Sequence, residues 1–156
     1  MNARRRSRGT SSRELPLVRQ SRGNDCGPAA LATVAARHGR SFDYGKLCDD
    51  HVPVDRRGTD LLALSRLAER LGFETRGIRA SYDEISMCTL PAIAHVRRRV
   101  GGGHFVVVDR WTPAQVLLAD PGRGQRTLSR RAFSRRWTGY LLIIQPTPTN
   151  GRQTQA

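Results

Sequence analysis

At Gly72 the hydrophobic period of this protein changes, and the change narrows the folds open to it. Before that glycine, Leu61, Leu64, Leu67, Ala68 and Leu71 recur at the three- and four-residue spacing of a helix. After it, residues 73–78 alternate at period two. Four further β-rich runs follow at 90–96, 104–108, 116–119 and 140–144, each bounded by Gly, Pro or Asp. The first half holds more helix. Residues 27–38 place Ala30, Leu31 and Val34 on one face, with Gly39 as a stop, and 43–50 reads as a second, short helix. Thr59 or Asp60 caps the leucine-bearing third. Short helices are expected at 81–87 and 130–137. Helices first and antiparallel strands after give an α+β domain, with N-terminal helices packed on a C-terminal sheet.

The chain has 156 residues, enough for one domain with a sizeable core. Its apolar residues concentrate in 15–146. The basic stretch 1–14, with Arg4, Arg5, Arg6, Arg8 and Arg13, and the polar stretch 147–156 read as disordered tails. No run approaches the roughly 20 apolar residues of a membrane span, and no apolar stretch follows the N-terminal charge as in a secretory signal. Membrane insertion is therefore not expected. Cys26, Cys48 and Cys88 are odd in number and none lies in a CxxC pair. That argues against a disulfide framework or a zinc site and for a reducing compartment; Cys48 and Cys88 read as packing residues.

The net charge of +14 invites a nucleic-acid reading. Lys46 is the only lysine among the 27 basic residues, and the arginines scatter over tails, helix faces and loops without a nucleic-acid motif. So one-sided a choice of base fits a compositional bias, and nucleic acid is not expected as a partner. Arg97-Arg98-Arg99 before Val-Gly-Gly-Gly reads as a hairpin loop. It is either a solvated turn or a patch for an acidic peptide or phosphates.

The chemistry concentrates at three places. Asp25 caps the first helix and puts Cys26 in its first turn, where unpartnered N–H groups favour a thiolate. Gly27 removes bulk beside the sulfur, and Gln20 lies close enough upstream to fold back beside it. His104 starts an apolar strand after three glycines. Of the other histidines, His38 sits at a helix end, His51 in a loop and His95 within a strand. Asp120 ends the next strand before Pro121 and Gly122. A hairpin near 110–114 would bring it to His104 with a separation of 16 residues. Turn chemistry alone could explain Asp120, and Asp109 is the rival carboxylate. Cys26 as nucleophile, His104 as base, Asp120 as its orienting group and Gln20 as oxyanion donor would make a thiol hydrolase.

Gln20, Asp25-Cys26-Gly27, the Ala/Leu-rich helix ending at His38-Gly39, Gly58-Thr59 before a leucine-rich helix, His104-Phe105-Val106-Val107 and Asp120-Pro121 together resemble the bacteriocin-processing cysteine peptidases. The resemblance spans about residues 16–146. It implies a papain-like fold and assigns Cys26, His104, Asp120 and Gln20 the roles just given. It implies cleavage of a precursor peptide's leader after a double-glycine-type site, Gly-Gly or Gly-Ala, with no metal or organic cofactor. An upstream amphipathic leader helix would dock in a shallow groove. The family occurs at the N-terminus of ABC exporters and as separate proteins, so the expected place is the cytoplasm, with an exporter as candidate partner. A leader-binding module without turnover and a basic nucleic-acid binder are the rival readings.

Overall fold

The computed structural model describes residues 17–19, 26–50, 60–99 and 103–148, with only the backbone of Cys48 and Asp50. The expected tail 1–14, Gln20, the cap Asp25, His51 and Gly58-Thr59 lie outside the described residues. Three helices come first: α1 (Cys26–Arg37), α2 (Tyr44–Asp50) and α3 (Leu61–Arg70). The strands are β1 (Phe73–Arg79), β2 (Ala92–Arg97), β3 (Gly103–Trp111), β4 (Gln115–Asp120), β5 (Gly124–Ser129) and β6 (Trp137–Pro146). A 3-10 helix (Asp83–Met87) and α4 (Arg130–Arg136) fill the remaining connections. The strands form one sheet, order β1-β6-β2-β3-β4-β5, with every pair antiparallel.

The sheet is covered on both faces. On one, Leu31 and Val34 of α1 and Leu64 and Leu67 of α3 pack against Phe73, Ile93, Phe105, Val107, Leu142 and Ile144. On the other, Ile85 and Phe133 pack against Ala94, Val106, Val108, Val116, Leu118 and Leu141. Phe133 stacks on Trp137 with ring centroids 5.2 Å apart. Two covered faces explain why β3 reads as a continuous apolar run: alternate side chains enter different cores.

α1 departs from the one-faced helix expected. All ten residues from Cys26 to Ala35 are buried, because α1 lies across β3 and also meets α2 and α3. Thr33 serves this packing, its hydroxyl donating to the Ala29 carbonyl at 2.9 Å and accepting the Val18 N–H at 2.9 Å. Val18 is thereby tied to the helix. Of the two candidate caps of α3 it is Asp60 that acts, accepting the Ala63 N–H at 2.7 Å. Gly72, at φ +87°, turns the backbone from α3 into β1. Arg40 clamps that turn, donating to its carbonyl at 2.8 Å and lying over the Phe73 ring.

β5 was not anticipated. Gly-Gln-Arg-Thr-Leu-Ser has one large apolar side chain, so no apolar run marks it, although its side chains alternate in burial. It is an edge strand that joins through backbone bonds to β4, its register running from Gln115 opposite Ser129 to Asp120 opposite Gly124. β6 is longer than its apolar run and begins where α4 ends. Past it, Thr147 donates N–H and hydroxyl to the Gly72 carbonyl at 3.1 and 2.8 Å.

Candidate active site

The β3–β4 hairpin sets the geometry. Val107 lies opposite Ala119, so one step further along the ladder Asp120 faces Val106. His104, two residues before Val106, is its diagonal neighbour on the same face. His104 Nε2 and Asp120 Oδ1 are 2.8 Å apart, and both side chains are buried. The same Oδ1 accepts the Gly122 N–H at 2.9 Å. Turn chemistry and imidazole orientation are thus combined in one carboxylate. Asp109 does not compete. It sits towards the other end of β3, buried, with Arg37 at 3.9 Å and Arg110 at 4.0 Å.

Cys26, in the first turn of α1, reaches the same imidazole. Its thiol lies close enough to His104 and the Phe105 N–H for both to act on its charge. Burial is the strongest influence and pushes the thiol up. His104, the Phe105 N–H and the positive charge of Arg98 outweigh it, holding the thiol below its ordinary value. His104 moves the other way. Burial pushes it down, but its bonds to Asp120 and Cys26, and their charges, leave it above the usual imidazole range. Burial likewise raises Asp120, and the His104 bond with the Gly122 and Arg123 N–H groups holds it lower. A low thiol beside a high imidazole is what a thiolate–imidazolium pair requires. Cys88 is the contrast: burial and then the Glu84 charge push that thiol up.

One contact was missed in the sequence. Arg98 Nη2 lies 2.6 Å from His104 Nδ1. Asp120 holds Nε2, which leaves Nδ1 as the ring atom for the thiol, so Arg98 and Cys26 address one nitrogen. The hairpin contained the signal. Val96 faces His104 across the β2–β3 ladder, and Arg98 is the next residue of that parity.

His95 supports the strand start. Its Nδ1 lies 3.2 Å from the Thr138 hydroxyl, which itself donates to the His95 carbonyl at 3.0 Å. The hydroxyl's one proton is thus committed, so Nδ1–H donates to its oxygen. The ring fills the space a side chain at 103 would take: a Cβ there would overlap the His95 imidazole. Gly103→Ala is therefore expected to lower stability by about 1–3 kcal/mol, read as a lower denaturant midpoint. It should also slow any chemistry at neighbouring His104.

Residues 14–149 match the family model of the Peptidase C39 family. The chain belongs to the Peptidase C39 family. This C39 domain is 32% identical over 134 residues to the probable microcin-H47 secretion/processing ATP-binding protein MchF of Escherichia coli, a match covering 86% of the chain and 18% of that protein. The chain thus spans less than a fifth of that relative's length. The peptidase domain of Streptococcus ComA, a bifunctional ABC transporter of a quorum-sensing pathway, superposes with a TM-score of 0.77 at 32% identity, covering 84% of this chain and 98% of that one. A double glycine motif protease from an AMS/PCAT transporter, solved with its leader peptide, gives 0.76 at 28%, covering 85% and 91%. The C39 domain thus has the papain-like fold of a cysteine peptidase family, helices on an antiparallel sheet. Among the described residues no helix is long and apolar enough to cross a membrane, and no three His, Cys, Asp or Glu side chains are grouped to hold a metal.

Proposed function

We propose that this C39 domain is a cysteine endopeptidase that removes leaders from bacteriocin- or lanthipeptide-type precursors after a double-glycine-type site. The convergence of the Cys26 thiol, the His104 imidazole and the Asp120 carboxylate at the start of α1 carries this reading. In it, Cys26 gives its proton to His104, and the thiolate attacks the carbonyl carbon of the second small residue. The Cys26 N–H and the Gln20 amide hold the oxyanion; the Gln20 role rests on its place before Cys26 and on the family resemblance. His104 then protonates the departing amine and an acyl-enzyme forms. Water, deprotonated by His104, releases the leader acid and restores the thiol. Asp120 keeps the ring oriented throughout. No metal or organic cofactor takes part.

The names of the relatives, which couple processing to export, support a leader-bearing precursor as substrate and an ABC exporter as partner. They also support a cytoplasmic site of action, at the inner membrane face when an exporter is engaged. The catalytic unit is taken as residues 15–146, flanked by polar tails. Incubation with a precursor carrying a Gly-Gly junction, followed by mass spectrometry, is expected to show one cut after the second glycine. A Val-Val junction should be cut at least about tenfold more slowly, since bulk must enter a site built for small residues. Cutting at unrelated positions, or no cutting, would refute the proposal.

A further inference from the structure

Next to the His104–Asp120 pair lies a cavity of about 650 Å³ whose wall includes both residues but not Cys26. Its other walls carry Arg97, Arg98, Arg99, Arg123, Arg126 and Arg136. A second hollow of about 460 Å³ shares five of these arginines. Among the described residues Asp120 is the only acidic one lining either, and it is already engaged by His104 and Gly122. Among the described residues none of the six arginines has a carboxylate within salt-bridge distance. So many guanidinium groups around one hollow repel one another until anions enter. The alternative of a merely solvated turn does not explain why three separate segments, 97–99, 123–126 and 136, converge beside the imidazole.

The reaction chemistry fixes which part of a peptide reaches this place. The group that protonates the leaving amine must face it, so the substrate residues that follow the cut leave past His104. The cavity is lined by His104 itself and so borders that exit. Arg98 connects cavity and base. A guanidinium can only donate, so its 2.6 Å contact with Nδ1 uses the lone pair that must accept the thiol proton. Moving that proton from Cys26 to His104 would set a new N–H against the guanidinium.

Resting on the peptidase reading, we infer that the arginine-lined cavity is a subsite for carboxylates just after the cleavage site, and that a carboxylate there draws Arg98 off His104 Nδ1. The pull is the bidentate, charge-assisted bonding that carboxylates offer arginine. Arg98 is then a positioning residue that makes acidic cargo the better substrate.

The test compares kcat/KM for three peptides with one leader. Two acidic residues follow the cut in the first, their amides follow it in the second, and the acidic pair precedes it in the third. The first is expected to be cut about tenfold faster than the second at low salt, the scale of one charge-assisted hydrogen bond. That preference should shrink at 0.5 M salt, and the third peptide should gain no such advantage. Arg126→Gln/Arg136→Gln should close the gap by slowing the acidic peptide. Arg98→Ala should close it by speeding the amide peptide, an effect that simple loss of structure would not produce. Equal rates for the first two peptides in the unaltered protein would overturn the inference, as would an equal gain with the acids before the cut. These comparisons need no variant to fold. If none of the peptides is cut, the peptidase reading fails instead.

Discussion

Replacing Cys26 by alanine is expected to reduce leader cleavage by on the order of 10⁶, the scale seen when a covalent nucleophile is removed. The loss follows from the route, since without sulfur no acyl-enzyme forms and water must attack the amide directly. Binding should survive, because alanine leaves α1 and its buried face in place. The variant is thus expected to retain leader peptide in a fluorescence titration while an overnight digest stays uncut by mass. Cleavage within tenfold of the unaltered protein would place the nucleophile elsewhere.

His104→Ala is expected to be nearly as damaging to cleavage, by about 10⁴ or more, since base, acid and thiol activation disappear together. Its more distinctive effect concerns the thiol. Burial, which raises Cys26, is the strongest single influence on it. Once the His104 hydrogen bond and charge are gone, only the Phe105 N–H and the Arg98 charge remain to oppose it. Iodoacetamide labelling of Cys26 against pH should show a midpoint below the ordinary thiol range in the unaltered protein and a clearly higher one in the variant. An unchanged labelling profile would mean that the imidazole does not activate the sulfur.

The two periods around Gly72 made the helix-then-sheet order legible, and α3 fell where its leucines placed it, ending at Arg70 before the turn. The meeting of His104 with Asp120 was legible too, because one hairpin of short strands leaves few registers. β5 was hidden because it is an edge strand held by backbone bonds, and its more buried positions, Gly124, Arg126 and Leu128, are not an apolar set. The all-round burial of α1 was hidden because Ala and Gly fit any environment. Arg98 was hidden because a charged residue in a turn is ordinarily solvated. Its contact with His104 depends on the β2–β3 register, which a strand assignment by itself does not supply.

In the proposed route Cys26, and not another thiol, attacks a peptide bond after two small residues. A leader peptide ending in a Gly-Gly chloromethyl ketone tests it directly, with Cys88, whose thiol is pushed up by burial and Glu84, as an internal reference. Intact mass should show one adduct, mapped by digestion to the Cys26 peptide, forming far more slowly in His104→Ala. Alkylation spread equally over Cys26 and Cys88, or no adduct while the precursor is still being cut, would contradict it.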